Sequence, residues 1–285
     1  MNRITRRKFL KTAATTAAVA GFPAIVPSSV FGQYAPSKQI NIGAIGVGRI
    51  SRVHDMPAIL KVDTARIVAV CDLSEDRVVK GKQYVNDFYT KKNGKPYDGV
   101  TGYANYRELL ANKDIDAVVI STPDHQHARV AADAVRAGKD VYLQKPASLT
   151  IAEGRYISDV VQSTGRILQI GSQQRAWKQF HRACELVRNG RIGEVQHVEI
   201  GLPGDPAGGD PTPMPVPAGF NYDAWLGSTP DVYYTLDRVM PLHDFSRPGW
   251  LRMEPMAMER RLRIGCFVLR RRAGRMVYRK LGVRR

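Results

Sequence analysis

Cysteine is scarce in this sequence, with three residues among 285. Cys71, Cys184 and Cys266 lie far apart and follow no spacing typical of a metal site. An odd number also argues against a disulfide framework. We therefore expect no metal site, and we predict that Cys71, which lies within an apolar run, is a small buried residue.

Acidic residues are also few, with 26 Asp and Glu against 43 Lys and Arg and a net charge of +17. An excess of this size would suggest a nucleic-acid or membrane partner if it were spread over a folded domain. It is not, because residues 1–32 carry +5 and residues 254–285 carry +9, which leaves +3 for the rest. The globular part is nearly neutral, and we expect no nucleic-acid partner.

The N-terminus lacks an apolar run long and strong enough for a transmembrane helix. It has a basic stretch around Arg6 and Arg7, a mildly apolar Ala/Thr-rich segment from about 12 to 26, and small residues near 28–32. This layout is typical of a signal peptide, and the paired arginines indicate the twin-arginine route. We predict that the twin-arginine export machinery recognises residues 1–32 and delivers the protein to the periplasm. A disordered basic tail or an uncleaved anchor is the alternative.

Strand and helix patterns alternate through residues 38–170, with a polar loop expected at 91–99. Continuous apolar runs, typical of parallel strands buried on both faces, occur at 40–45, 66–71, 117–121, 140–143 and 166–170. Short connections and intervening helical patterns predict an α/β fold, a doubly wound parallel sheet of the Rossmann type.

The rest of the chain is less regular. Residues 171–253 contain one helix (180–189), one strand (195–200) and a Gly/Pro-rich stretch (201–217), so we expect an incomplete α+β substrate domain. Residues 254–285 are rich in Met and Arg, without turn signals or a sustained apolar face. We expect this segment to be an aberrant basic tail that completes no domain.

A glycine loop, residues 46–51, joins the first predicted strand to a helix. Gly46 would permit the tight turn, and Gly48 would let a pyrophosphate approach the backbone. The start of the helix would supply free N–H groups and a favourable dipole. Ser51 stands where the dinucleotide fingerprint has Gly or Ala, and serine is small enough for close packing of helix on strand. The pattern predicts dinucleotide binding.

Asp72 ends the second predicted strand, 26 residues after Gly46. A carboxylate there can accept hydrogen bonds from the adenosine ribose hydroxyls and would repel a ribose phosphate, which favours NAD over NADP. The alternative is that Asp72 caps the following helix, although Ser74 fits that position at least as well.

Four ordered motifs, at residues 45–50, 116–123, 137–142 and 144–146, resemble those of the Gfo/Idh/MocA oxidoreductases. The resemblance runs from about residue 40 to 250 and is greatest to an exported branch with Gln-Lys-Pro in place of Glu-Lys-Pro. It implies a Rossmann domain followed by a mainly antiparallel sheet domain, and NAD(P)-linked hydride transfer on sugars, inositols and related polyols. Some exported relatives instead resemble NAD-dependent glycosidases.

Lys145 is the predicted catalytic residue. A lysine before a proline at a strand end can point into the crevice at the carboxyl edge of the sheet. Its ammonium could donate to the substrate hydroxyl and the nicotinamide carboxamide and stabilise a developing alkoxide. The alternative is a solvated lysine. We predict a cis peptide bond before Pro146, and Gln144 keeps the hydrogen-bonding ability of the usual glutamate without its charge.

The resemblance implies further site residues with less specific patterns. His125 would line the nicotinamide side, or else His125 or His127 caps the next helix. The polar stretch 173–175 would face cofactor or substrate, or else is an interdomain linker. Trp225 is expected to pack rather than to serve as a sugar platform. The predicted cofactor-binding residues are Gly46, Gly48, Arg49, Ile50, Asp72, Thr122, Pro123, His125, Gln144, Lys145 and Pro146; the predicted substrate residues are Gln173, Gln174 and Arg175.

The resemblance also implies a histidine near an aspartate that completes proton transfer, beyond about residue 252. His181, His197 and His243 do not match that motif. We hypothesise a frameshift or truncation near residue 253, which sequencing the locus around that codon would test. The expected function is an NAD-linked oxidoreductase of sugars or polyols; the alternatives are an inactive nucleotide-binding remnant or a glycosidase-like relative. The family's homo-oligomerisation is doubtful here.

Overall fold

The computed structural model describes residues 39–198, 212–239, 267–272 and 275–280. The predicted signal peptide, residues 1–32, lies outside these ranges. So do the change of character near residue 253 and the residues shortly after 252, where the resemblance implies a catalytic histidine.

Six parallel strands form the main sheet, in the order β3-β2-β1-β4-β5-β6. This is the predicted doubly wound α/β fold, and the structure adds one short strand, β3, that the sequence pattern did not indicate. The strands are β1 (Ile40–Ile45), β2 (Ala65–Cys71), β3 (Thr101–Tyr103), β4 (Ala117–Ile120), β5 (Asp140–Leu143) and β6 (Leu168–Ile170).

The two middle strands, β1 and β4, carry the apolar runs that the sequence pattern identified. Their register pairs Ile42 with Ala117 and Ile45 with Ile120. Side chains from these strands enter two separate apolar clusters, one on each face of the sheet. Complete burial of such an aliphatic side chain contributes about 1.5–3 kcal/mol, so the sheet is held by its covered faces.

Helices cover both faces of the sheet. A π-helical turn (Ser51–Asp55) precedes the first one. The second (Glu75–Asn93) extends into the stretch expected to be a loop, before Gly94 ends it in the left-handed conformation. Within the described ranges, no helix has the length and apolar content needed to cross a membrane. The helices around the sheet are α1 (Met56–Leu60), α2 (Glu75–Asn93), α3 (Tyr106–Ala111), α4 (Asp124–Arg136) and α5 (Ile151–Thr164). A further helix, α6 (Lys178–Arg188), follows the last strand of the sheet and has no buried residue.

Residues 212–239 pack a third apolar cluster against the main body. They contain two short helices, α7 (Tyr222–Leu226) and α8 (Leu236–Val239). Trp225 is 5% exposed and lies against the rings of Tyr222 and His125. The prediction that Trp225 is a packing residue is confirmed.

A second, antiparallel sheet is separate from the parallel one. Its strands are β7 (His197–Val198), β8 (Phe267–Arg272) and β9 (Arg275–Lys280), in that order. Strands β8 and β9 fall within residues 254–285, where the sequence pattern indicated no regular element. The apolar runs in these strands are three residues long, too short for a helical period but rich in β-forming residues.

Candidate functional site

The predicted site residues converge at one edge of the parallel sheet. The chain leaves β1 toward one side of the sheet and β4 toward the other, and ligands of doubly wound sheets bind in the crevice at this switch point. The predicted residues follow β1, β2, β4, β5 and β6, which are neighbours in the sheet, so all of them lie at its carboxyl edge.

Gly46 is required by the fold itself. Its φ of 83° lies in the left-handed region, and a Cβ atom there would sit 2.8 Å from the backbone of Ser121. Its N–H donates to the carbonyl of Cys71 at 2.8 Å. The glycine loop is thus closely packed between the ends of β2 and β4, as the tight turn predicted.

Gly48 is free of such a requirement. Its φ is not in the left-handed region, and a Cβ atom there would meet only Arg77 Nη1, at 3.9 Å. The protein leaves open the space that a side chain would fill, which fits the close approach of a pyrophosphate to the backbone. Ser51, the third position of the fingerprint, is fully buried, so a small residue is needed there.

Asp72 joins β2 to the glycine loop. Its carboxylate accepts hydrogen bonds from the N–H of Val47 at 2.8 Å and from the N–H of Ser74 at 3.0 Å. Ser74 is the N-cap residue of α2, so Asp72 is not the cap. Arg77 Nη1 lies 4.0 Å from Asp72 Oδ2 and brings a positive charge that sequence reasoning missed.

Thr122 follows β4 at the middle of the edge. Its Oγ1 atom is buried and has no hydrogen-bond partner among the described residues. The ring of His127 connects this turn to the next one, with Nε2 at 2.9 Å from the carbonyl oxygen of Thr122 and Nδ1 at 2.5 Å from that of Pro146. Both of these contacts are to carbonyl oxygens outside α4, so neither of them is a capping hydrogen bond to the first turn of that helix.

His125 is buried in the first turn of α4. Its Nε2 lies 2.6 Å from the carbonyl oxygen of Trp225, and its ring meets the indole edge to face. The amide of Gln126 donates to the carbonyls of Ala224 and Trp225 at 2.9 and 3.0 Å. His125 therefore holds residues 219–227, here called the strap, against the Rossmann domain. Its contact with a nicotinamide stays a prediction.

The Gln144-Lys145-Pro146 turn follows β5. The Lys145–Pro146 peptide bond is cis, as predicted, and Lys145 is exposed at the edge of the sheet. Gln144 is half-buried, and its N–H donates to the carbonyl of Ile120 at 2.9 Å. The turn is thus joined through its backbone to the end of β4.

Asp55 is a buried acid behind this turn that the sequence patterns did not identify. Its carboxylate accepts hydrogen bonds from Ser121 Oγ at 2.6 Å and from Gln144 Nε2 at 2.7 Å. Burial raises the pKa of Asp55, and the two hydrogen bonds and the charge of His54 oppose that rise. No spacing in the sequence links position 55 to positions 121 and 144.

The predicted substrate residues lie at one end of the carboxyl edge of the sheet, after the outermost strand, β6. They belong to a 3-10 turn (Gln173–Ala176) that follows β6. Gln173 has a φ of 29°, in the left-handed region that side-chain-bearing residues rarely adopt. The contact of Gln173, Gln174 and Arg175 with a substrate stays a prediction.

A metal centre finds no support in the ranges that the structure describes, since no group of three or more His, Cys, Asp or Glu side chains there could hold an ion.

Comparison with known proteins agrees with this geometry. Residues 40–172 match the GFO_IDH_MocA family, described as an oxidoreductase family with an NAD-binding Rossmann fold. An alpha-N-acetylgalactosaminidase from Shewanella oneidensis is 30% identical over 214 residues, which are 70% of this chain and 46% of that protein. The chain thus spans about half the length of the curated relatives it matches.

Two solved structures resemble the chain over a similar span. Myo-inositol 2-dehydrogenase from Lactobacillus plantarum is 27% identical, with a TM-score of 0.47, covering 57% of this chain and 45% of its own. The 3-ketoreductase KijD10 from Actinomadura kijaniata, solved with NADP and TDP-benzene, is 23% identical, with a TM-score of 0.48, covering 56% and 46%.

Proposed function

Residues 40–172 belong to the Gfo/Idh/MocA oxidoreductases with an NAD-binding Rossmann fold, and from this premise we propose that the protein binds a nicotinamide dinucleotide and transfers hydride to or from a sugar or polyol. The contrast between the two glycines carries the proposal. A glycine is required at position 46 by its positive φ and by the nearby backbone of Ser121. At position 48, by contrast, a side chain would fit the described protein, and its absence leaves an open space beside the backbone. That space lies beside the start of a helix, where free N–H groups attract phosphate.

Each group of site residues has a distinct part in this proposal. The glycine loop would hold the pyrophosphate, Asp72 the adenosine ribose, and Thr122 Oγ1 a polar group on the nicotinamide side. The dinucleotide, when bound, supplies the hydride donor or acceptor. Lys145 would hydrogen-bond to the substrate oxygen and stabilise the negative charge that develops as the carbon–hydrogen bond breaks.

The choice between NAD and NADP rests on two opposite charges. Asp72 alone would repel a ribose 2′-phosphate, which was the reason for expecting NAD. Arg77, with Nη1 at 4.0 Å from Asp72 Oδ2, offers that phosphate a cationic partner. We therefore propose that the site accepts both coenzymes, which titrations with NAD+ and NADP+ side by side would test.

A matched pair of glycine variants tests dinucleotide binding. Gly48→Val should leave the thermal midpoint near that of the wild type and weaken NAD(P) binding at least about tenfold, because the new side chain fills the pyrophosphate space. Gly46→Ala should instead lower the thermal midpoint, because the added methyl meets the Ser121 backbone at 2.8 Å. Calorimetric titration of the purified chain measures affinity. Unchanged affinity in Gly48→Val would refute the proposed site.

Turnover is tested separately from binding. Hydride transfer over a panel of sugars and inositols, followed by nicotinamide absorbance, should be lost in Lys145→Ala, whereas coenzyme affinity should fall only about tenfold, the loss of one hydrogen bond to the carboxamide. A variant that kept full turnover would remove Lys145 from the mechanism. Binding without turnover in the wild type would select the remnant alternative.

A second candidate is an NAD-dependent glycosidase, favoured by the similarity to the Shewanella alpha-N-acetylgalactosaminidase. Release of nitrophenol from an α-N-acetylgalactosaminide, dependent on added NAD+, would select it. Net reduction of NAD+ by a free sugar would select the dehydrogenase.

We also propose export by the twin-arginine route, on the basis of Arg6, Arg7 and the apolar segment that follows. Fractionation of cells should recover the mature chain from the periplasm. Replacing both arginines by lysine should leave it in the cytoplasm, and unchanged export would refute this route.

A further inference from the structure

A chain of hydrogen bonds leads from the buried Asp55 to the Lys145 backbone. Gln144 Nε2 donates to Asp55 Oδ1 at 2.7 Å, and Gln144 Oε1 accepts from the Lys145 N–H at 3.3 Å. The other carboxylate oxygen, Asp55 Oδ2, accepts from Ser121 Oγ at 2.6 Å. The chain connects the turn after the glycine loop with the ends of β4 and β5.

The carboxylate decides which way the Gln144 amide points. An ionised carboxylate only accepts hydrogen bonds, so it selects the NH₂ end of the amide and directs the oxygen toward Lys145. An amide at position 55 would not select one orientation of the Gln144 amide, because an amide can both donate and accept a hydrogen bond. A glutamate at position 144 would place a second carboxylate next to that of Asp55, and one of the two would have to be protonated to form a hydrogen bond.

We propose that Asp55 is a positioning residue that fixes the Gln144 amide and, through it, the Lys145 turn, and that position 144 holds an amide because Asp55 supplies the carboxylate. The effect on coenzyme binding rests on the proposed function, whereas the pairing itself does not. Asp55 is 8% exposed and lies at the end of the π-helical turn that follows the glycine loop, so its hydrogen bond to Gln144 links that turn to the Gln144-Lys145-Pro146 turn.

Other ionisable groups also face Asp55 and enter the expected pH dependence. His54, next to it in the chain, brings positive charge that opposes the rise in the pKa of Asp55. Burial, followed by the negative charge of Asp55, raises the pKa of Tyr142 on β5. Because the folded-state pKa of Asp55 is raised, its contribution to stability is fully present below the unfolded pKa and is lost as pH rises through the folded pKa. The pH range of the test therefore extends from about 4 to about 8.

The experiment is a double-mutant cycle in the full chain: Asp55→Asn, Gln144→Glu and the two combined, with Asp76→Asn as a control because Asp76 is 66% exposed. Thermal midpoint against pH and NAD(P) affinity are measured for each variant. Gln144→Glu should lower the midpoint more at about pH 8 than at about pH 5, where one carboxyl accepts a proton. Its coenzyme affinity should fall about tenfold.

The combined variant should recover both properties, because asparagine at position 55 and glutamate at position 144 restore one amide and one carboxylate. Asp55→Asn alone should keep the midpoint at about pH 8 within a few degrees of the wild type and still lose several-fold in affinity, since the amide is no longer fixed. If Asp55 had a purely structural role, Asp55→Asn would lower the coenzyme affinity and the thermal midpoint together.

Two results would overturn the proposal: additive effects in the combined variant, or unchanged affinity and midpoint in Gln144→Glu. If the wild type binds neither coenzyme, the proposed function fails, and the midpoint cycle alone decides the pairing of Asp55 with Gln144. Recovery of the midpoint then supports the pairing, and additivity refutes it.

Discussion

Cys71 and Cys184 carry the same thiol in opposite surroundings. Cys71 ends β2 and is 3% exposed, and burial, followed by the charges of Asp72 and Glu108, raises the pKa of its thiol to about 12. Cys184 lies exposed on α6. Because the thiolate is the reactive form, the two should differ widely in alkylation rate.

Iodoacetamide labelling of the native protein at about pH 8, followed by peptide mass spectrometry, should modify Cys184 and leave Cys71 unmodified. The same reaction in denaturant should modify both and serves as the control. Native labelling of Cys71 at a rate similar to that of Cys184 would contradict its burial.

Among the helices and strands, the start of β5 depends on a buried lysine. Lys139 is 6% exposed, and its Nζ donates to the carbonyls of Asn112 and Ile115 at 2.7 Å each. These carbonyls lie where α3 ends and the chain turns into β4. Burial lowers the pKa of Lys139, and the charges of Asp116 and Asp114 oppose that effect.

Lys139→Met should lower the free energy of unfolding by about 2–4 kcal/mol, because it removes the donor to a buried carbonyl oxygen, that of Ile115, and to a half-buried one, that of Asn112. Lys113→Met, at an exposed position of the same connection, should change it by about 0.5 kcal/mol or less. Urea unfolding followed by circular dichroism gives both values. Equal losses in the two variants would show that the carbonyl contacts contribute little.

Elements that depend on local patterns were predictable, and contacts between distant residues were not. β1, β4 and the glycine loop show their apolar runs and glycines directly in the sequence. β3 has three residues at the edge of the sheet, too few for a periodic signal. Asp55 meets partners 66 and 89 residues away, so only the fold reveals that its carboxylate is paired rather than solvated.

The strap extends the folded body beyond the parallel sheet. At one end, the N–H of Glu75 at the start of α2 donates to the carbonyl of Gly219 at 2.9 Å. At the other end, His125 and Gln126 at the start of α4 hold Trp225. The stability of residues 219–227 should therefore be shared with that of the sheet.

Trp225→Ala should reduce the free energy of unfolding by about 3 kcal/mol, as expected for a large buried ring. Trp177→Ala, which removes an indole that is 41% exposed, should cost about 1 kcal/mol or less. We expect the unfolding curve of Trp225→Ala to show a single transition at a lower denaturant concentration than that of the wild type. Two separate transitions would show that the strap unfolds independently.

The order of strands in the sheet also has a consequence during synthesis on the ribosome. β1 pairs with β4, and the partners Ile42 and Ala117 are 75 positions apart. At about 5–20 residues per second, translation completes β4 roughly 4–15 seconds after β1 emerges. For that interval the backbone edge of β1 that pairs with β4 has no partner within its own chain. The nascent polypeptide therefore presents an apolar strand to chaperones that capture exposed apolar chain.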